Sequence, residues 1–399
     1  MRKLSRIDSV IDKAVMLVSF PKEAYVEVRK SLGKYSAEKI VSSFKLPIFP
    51  KSVMDGYAIV AEDTLPSSPS SPVRLKIVDG IIRPGERHNI SIRSGEAAII
   101  ETGGFLPEGA DAVIPIEDTV REGGEILVFR RVSRWENVSI PGEEYDKDIV
   151  IVDKGWRIEP IHLAAFVLEG LDKVRVYRTD VSILNVGDEL LKKGSVKPFT
   201  QELVYGWFTK LGFSVKQVEF ERDDPEAIKR WLEQSDSYIT VVMGGTSMGK
   251  HDYTVKAIKE ISPDYFNHGF ALQPGKTACL AVKDGRIYMA ISGLPVAALS
   301  SLELILRPLL EKKGFRLPGY TVVKARLTRR LTVKMGMAGF ARVRVFRENE
   351  EFFAEPLMVG GSGALGSLLK GNGFVVVPED VEGYDIGDVV DVYLYGNVV

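Results

Sequence analysis

The sequence predicts a multidomain chain of α/β and β parts, centred on a three-layer α/β domain with a mostly parallel sheet. Three observations predict it. The run Ile239-Thr240-Val241-Val242-Met243 leads directly into Gly244-Gly245-Thr246-Ser247-Met248-Gly249, as a strand buried on both faces does at its carboxyl edge. From Val181 onward, strand-like and helix-like stretches alternate at lengths that suit right-handed parallel crossovers. On either side, residues 59–132 and the chain beyond Pro318 carry short β-prone runs between turn residues. A chain of 399 residues is also too long for one compact core.

In chain order, apolar spacing over Ser9 to Phe20 predicts a helix ended by Pro21, and a second helix is expected over Lys22 to Leu32, ended by Gly33. Extended chain then leads to Met54-Asp55-Gly56-Tyr57-Ala58, which reads on its own as an exposed Asp-Gly turn. The runs Val73–Val78, Ala97–Glu101 and Ala112–Ile116 describe a small β-domain inserted in a larger frame, and Pro66 to Pro72 reads as a mobile loop. A helix over Pro160 to Glu169 closes the frame. The central part follows as a strand (Val181–Val186), a helix (Gln201–Leu211), a strand (Ser214–Phe220), a helix (Glu226–Gln234) and the strand ending at Met243. A long helix over Val296 to Leu306 precedes Pro308. In the tail, Phe340 to Val345 alternates apolar and charged residues, so Arg342 and Arg344 read as the wet face of a sheet.

Composition narrows the function. Apolar residues make up 45% and charged residues 27%, as in globular proteins, and a formal net charge of −1 argues against a dominant nucleic-acid or membrane-surface role. No apolar run is long enough for a membrane span, and the N-terminus lacks a secretory pattern. Cys279 is the only cysteine, which rules out an internal disulfide and fits the cytoplasm; its apolar neighbours make it core filling. Four scattered histidines do not make a zinc site, so any metal is expected to be a hard ion such as Mg2+ on carboxylates and a substrate phosphate.

Two familiar motifs fail on inspection. Gly244 to Lys250 has P-loop spacing, but His251 stands where a Mg2+-binding Ser or Thr is needed. Gly361, Gly363 and Gly366 spell G-x-G-x-x-G with too little chain beyond them for a dinucleotide-binding unit. What survives is a glycine loop able to let a phosphate approach the backbone, followed by Asp252. Two more acidic clusters, Asp188/Glu189 and Asp223/Asp224, also follow strands, and ligands of open α/β sheets bind at that edge.

With these residues in view, the chain resembles the molybdopterin molybdenumtransferase family, which includes the E domain of gephyrin, almost from end to end. The resemblance rests on Met54 to Ala58, Thr102-Gly103-Gly104 with Pro107 to Val113, Gly187-Asp188-Glu189-Leu190, Gly244 to Gly249 with Asp252-Tyr253-Thr254, Pro274-Gly275-Lys276, and Gly361 to Leu365 with Asn372-Gly373. It implies an elongated frame domain (1–50 and 135–176), an inserted β-domain (51–134), an α/β molybdopterin-binding domain (177–314) and a barrel-like C-terminal β domain (315–399). It also implies a homodimer, a molybdopterin adenylyltransferase as possible partner, and insertion of molybdate or tungstate into adenylated molybdopterin with Mg2+-dependent loss of AMP. Carried onto this sequence, Asp55, Thr102, Glu189, Asp252 and Lys276 would be catalytic. Gly244, Gly245, Ser247, Pro295, Arg342 and Ser362 would bind the cofactor, and Asp224, Asp252 and Glu189 the metal. A nucleotide pyrophosphatase, or a paralogue that binds molybdopterin without turnover, are the other readings such a sheet edge allows.

Four stretches depart from the family pattern. Ser139-Ile140-Pro141 replaces a run of arginines, Pro198-Phe199-Thr200 replaces Asp-Ser-Asn, Gln273 replaces a basic residue, and Ile291-Ser292-Gly293-Leu294-Pro295 replaces Leu-Pro-Gly-Asn-Pro. Two of these changes remove positive charge from an expected anion pocket, where charge-assisted hydrogen bonds are the strong ones.

Overall fold

The computed structural model describes residues 4–188, 197–246, 252–357 and 361–398. The chain forms two compact units, Ile40–Ile151 and the remainder, Met1–Lys39 with Val152–Val399.

In the larger unit the central sheet contains β1 (Asp180–Val186), β2 (Ser214–Glu221), β3 (Ile239–Met243), β4 (Tyr265–His268), β5 (Cys279–Lys283) and β6 (Arg286–Ile291). Their order is β2-β1-β3-β6-β5-β4. The first four strands run parallel, and β5 and β4 each pair antiparallel to their neighbour. All five residues of β3 are buried, because helices cover both faces. One face packs on α1 (Phe199–Lys210) and the N-terminal helix Ile7–Leu17, through Val204, Phe208, Ile11 and Ala14. The other packs on α2 (Pro225–Gln234) and α3 (Tyr253–Glu260), through Ile228, Leu232, Val255 and Ile258. This is the three-layer domain the alternation predicted.

Three expectations are corrected. The stretch expected as a helix over Lys22 to Leu32 is a strand, Glu23–Glu27, followed by a short 3-10 turn, Val28–Ser31. The strand pairs antiparallel with Lys173–Tyr177, a partner far away in sequence that overrides local spacing. Pro308 does not end the long helix either. After α4 (Pro295–Ser301) comes a π-helical stretch, Leu302–Leu306, and then a helix over Arg307–Lys313. The wider turn accommodates the missing N–H and the bulk of the proline ring. It also buries Glu303, which accepts from Trp207 Nε1 at 2.6 Å and from Arg307 Nε at 2.8 Å. Finally, Arg342 is buried, not on the wet face: its Nε donates to Ser367 Oγ at 3.1 Å, while Arg344 stays exposed.

The C-terminal sheet closes on itself. Ala338–Glu348 pairs with Glu351–Pro356 and with Gly373–Val377, and the ring is completed through Thr321–Leu327 and Val389–Leu394. A two-residue strand of the central part, Leu272–Gln273, joins its rim in parallel with Ala338 and Gly339.

The unit Ile40–Ile151 holds a six-stranded sheet with Gly56–Ile59 and Glu96–Ile100 in its interior. The segment expected as a mobile loop, Pro66 to Pro72, is pinned: Ser67 donates to the Val128 carbonyl, and Ser68 and Ser71 bridge to each other. Gly56 is required by packing, since a Cβ there would lie 2.0 Å from the Ile114 oxygen. Among the described residues, no helix is long and apolar enough to cross a membrane.

Candidate active site

The carboxyl ends of β1, β3 and β6 define the floor of the site. Gly244 has φ +96°, and a Cβ there would lie 2.3 Å from the Val186 oxygen, so only glycine lets the strand end lie so close. Its N–H donates to Ile291 O at 3.0 Å and is therefore committed to the sheet rather than to a phosphate. Gly245 follows at φ +60°, and Thr254 Oγ1 in the first turn of α3 donates to Gly244 O at 2.9 Å. The loop is thereby fastened to the helix beyond it.

Three adjoining cavities open over this floor. One of about 390 Å3 is lined by Gly187, Lys197, Thr200, Asp223, Gly244 and Leu294. The largest, about 860 Å3, shares Gly244, Gly245, Gly293 and Leu294 with it and adds Lys276, Ser292, Lys334 and Ser362. The third, about 290 Å3, shares Gln273, Pro274 and Ser362 with the second and reaches Arg329, Arg330 and Arg342 of the barrel. Together they form one trough in the larger unit. Among the described residues its charged lining is Lys197, Lys276, Lys334, Arg329, Arg330 and Arg342 against one carboxylate, Asp223. Arg329 and Arg330 are partly neutralised by Glu355 and Asp385, each at 3.1 Å.

The predicted residues distribute unevenly. Gly244, Gly245, Lys276, Arg342 and Ser362 line the trough. Arg342 Nη2 meets no acceptor among the described residues, and burial holds the guanidinium below its usual pKa. Ser362 is held by its carbonyl, which accepts from Val296 N–H at 3.0 Å. Pro295 is buried at the first position of α4 and leaves the surface to Leu294. Asp55 and Thr102, in the other unit, meet each other: Asp55 Oδ1 accepts from Thr102 N–H at 2.7 Å and from Oγ1 at 2.8 Å. Those bonds, the backbone one foremost, hold the Asp55 carboxyl below its usual pKa. Glu189 and Ser247 lie outside the described residues.

Of the expected metal set, Glu189 lies outside the described residues, and Asp224 and Asp252 stand in different surroundings. Asp224 caps α2, its Oδ1 accepting from Glu226 N–H at 3.0 Å. Asp252 faces a separate cavity of about 420 Å3, with Oδ2 3.5 Å from His268 Nε2. His268 stands on edge strand β4, whereas Asp224 follows edge strand β2. Five strand spacings of ~4.8 Å, about 24 Å, separate those two edge strands. Among the described residues no three His, Cys, Asp or Glu side chains come close enough to hold a metal. The acidic side chain that does line the trough is Asp223, whose N–H and Oδ2 exchange long contacts with Asp188, 3.4 and 3.3 Å. The acidic cluster Asp223/Asp224 stands out in the sequence, with the metal role expected of Asp224; Lys334, Arg329 and Arg330 are not among the predicted site residues.

A three-layer α/β domain with a cationic trough at its carboxyl edge, joined to a closed barrel, defines a multidomain enzyme that handles anionic ligands. Comparisons narrow the class. Profiles described as the MoeA N-terminal region (domain I and II), a probable molybdopterin binding domain and the MoeA C-terminal region (domain IV) match residues 4–170, 182–312 and 324–395. A Methanocaldococcus jannaschii protein named for molybdopterin biosynthesis is 33% identical over 92% of this chain and 91% of its own length. A Staphylococcus epidermidis protein named molybdopterin molybdenumtransferase is 28% identical over 94% of this chain and 91% of its own. The crystal structure of a Pyrococcus horikoshii molybdopterin biosynthesis MoeA protein superposes with a TM-score of 0.81 at 26% identity, covering 98% of this chain and all of that one. The chain belongs to the MoeA family of molybdenum cofactor biosynthesis, a family of transferases.

Proposed function

We propose that this chain inserts molybdenum or tungsten, arriving as the tetrahedral oxyanion, into the dithiolene of adenylated molybdopterin. As the metal bonds to the two sulfurs, one oxo group leaves as water with the two thiol protons, and a second water cleaves the phosphoanhydride to give AMP and the pterin monophosphate. The observation that supports this reading is the continuous trough, glycine-floored at one end and cationic at the other. Its floor admits a nucleotide's phosphates close to the backbone of Gly245. Its basic end, with Lys276, Arg342 and the hydroxyl-bearing Ser362, suits a small dianion, which charged donors hold about twice as strongly as neutral ones do. Lys276 then offsets the charge that develops as the anhydride breaks.

Asp223 is the carboxylate at the diphosphate end; the two anions repel each other, so it would act there by holding a Mg2+ that also ligates the diphosphate. Asp252 remains a candidate held at a distance by His268, and Asp55 with Thr102 a candidate pair on the other unit. The reading also takes the protein as a cytoplasmic homodimer, supplied by a molybdopterin adenylyltransferase and divided into the four parts given above.

The test is AMP release from adenylated molybdopterin with molybdate or tungstate, for the full chain and for Lys276→Gln. Oxyanion-dependent release by the parent protein, reduced about tenfold or more in the variant, is expected from the loss of a charge-assisted hydrogen bond. No release where another family member works under the same conditions overturns the reading.

A further inference from the structure

The geometry points to Lys334 as an oxyanion-binding residue of the trough, delivered by the barrel to the place where Gln273 offers no charge. The inference rests on the reading above and adds to it one residue and one source of specificity.

Lys334 sits in the loop between Leu331–Thr332 and the long barrel strand Ala338–Glu348. Three contacts hold that loop on the central domain. Lys334 N–H donates to Gln273 Oε1 at 3.1 Å, Ala338 N–H donates to Ala271 O at 2.7 Å, and Leu272 and Gln273 pair in register with Ala338 and Gly339. The Met337 N–H bond to Lys334 O, 3.1 Å, closes the turn. The backbone carrying Lys334 is therefore placed by bonds on both sides. Lys334 lines the largest cavity together with Lys276, Ser292 and Ser362.

Charge accounting separates Lys334 from its neighbours. Arg329 and Arg330 are paired with Glu355 and Asp385. Lys334 and Lys276 form no ion pair with any described residue, and no carboxylate among the described residues lines their cavity. Two lysines lining one space with no acidic partner among the described residues favour a bound dianion there. Gln273 contributes differently. As a neutral acceptor, its amide oxygen receives the Lys334 N–H, a bond that a lysine at 273 has no acceptor to make. Neutral Gln273 and charged Lys334 thus act as one device: the first fixes the loop, and the second brings the charge. The charge enters from the barrel, so oxyanion binding depends on the barrel rim staying joined to Leu272–Gln273.

The experiment uses the full chain, with molybdate as probe and sulfate as competing dianion. In Lys334→Gln the backbone N–H that bonds Gln273 remains, so the thermal midpoint should stay put. The KM for molybdate should rise about tenfold while kcat changes by less than about twofold, as expected when a charged donor that serves binding is lost. Lys334→Arg should recover most of the affinity. Adding Gln273→Lys to Lys334→Gln should also recover a large part, since it returns a charge to the same cavity. A KM unchanged in Lys334→Gln, or a loss not recovered by either lysine or arginine replacement, overturns the inference. Equilibrium binding of molybdate to the nucleotide-free protein decides it separately from turnover. If the parent protein binds molybdate and Lys334→Gln binds it about tenfold more weakly, the inference stands even where AMP release is absent and the broader reading fails. If the parent protein binds no molybdate, the inference is overturned with it.

Discussion

Two flanks of the central sheet carry a carboxylate in the same topological position, just beyond a parallel strand, with opposite outcomes. On the β2 flank, Asp223 opens into the trough beside Gly187 and Gly244. On the other flank, Asp252 turns to His268, whose side chain is 4% exposed, and lies close enough to help push up the pKa of buried Cys279, behind the larger effect of burial. Strand order decides this, because β3 leads to a helix that covers β5 and β4 instead of the cavity side. An acid after a strand is therefore a candidate for chemistry only once its neighbouring strands are known.

The contrast can be broken by substitution. The largest effect is expected for Asp223→Asn, which should reduce AMP release about 10–100-fold, since a charged partner of the bound ligand is worth roughly 1.5–3 kcal/mol. Asp252→Asn should reduce it less. If Asp252→Asn is the more damaging in a steady-state assay, the two flanks have been assigned the wrong roles.

Gly244→Ala addresses the floor itself. The new Cβ would meet the Val186 oxygen in a left-handed backbone conformation, so unfolding in urea should show a loss of roughly 2–4 kcal/mol from strain and overpacking. A loss under about 0.5 kcal/mol, the range of an ordinary surface change, would mean the strand end is not held as described.

A smaller effect concerns pH. Hydrogen bonds from Thr102 lower the Asp55 pKa in the folded unit, so the unfolded chain binds the proton first as pH falls. The stability this contributes is present above the ordinary carboxylate value near 4 and is lost as pH drops through the lower folded value. Thr102→Val should flatten that part of the acid-unfolding curve; an unchanged curve would remove the contact from consideration.

The least perturbing probe is Cys279. Burial, with Asp252 nearby, pushes its thiol up, so at pH 8 it should stay protonated and react with a thiol reagent only as fast as the protein unfolds. Fast labelling of the native protein would show that the Asp252 flank opens on its own.

Much of this was legible in the sequence, and the misses have a common cause. The run Ile239 to Met243 needed no context, because continuous burial and a glycine exit are local properties. The strand Glu23–Glu27 was not legible, since its hydrogen-bond partners lie at Lys173–Tyr177. Asp223 and Asp224 are equivalent on paper; only the start of α2 shows that the second serves as a cap. Arg342 fits a wet-face alternation until the barrel closes and turns that position inward, toward Ser367. Lys334 could not be found at all without its bond to a residue 61 positions earlier in the chain.

The short pairing of Leu272–Gln273 with Ala338–Gly339 has a consequence for anyone cutting the gene. A product stopping near Pro318 would keep every strand of the six-stranded α/β layer and still be missing one bank of the channel. Such a truncation should retain a nucleotide-sized hollow yet lose its preference among small dianions.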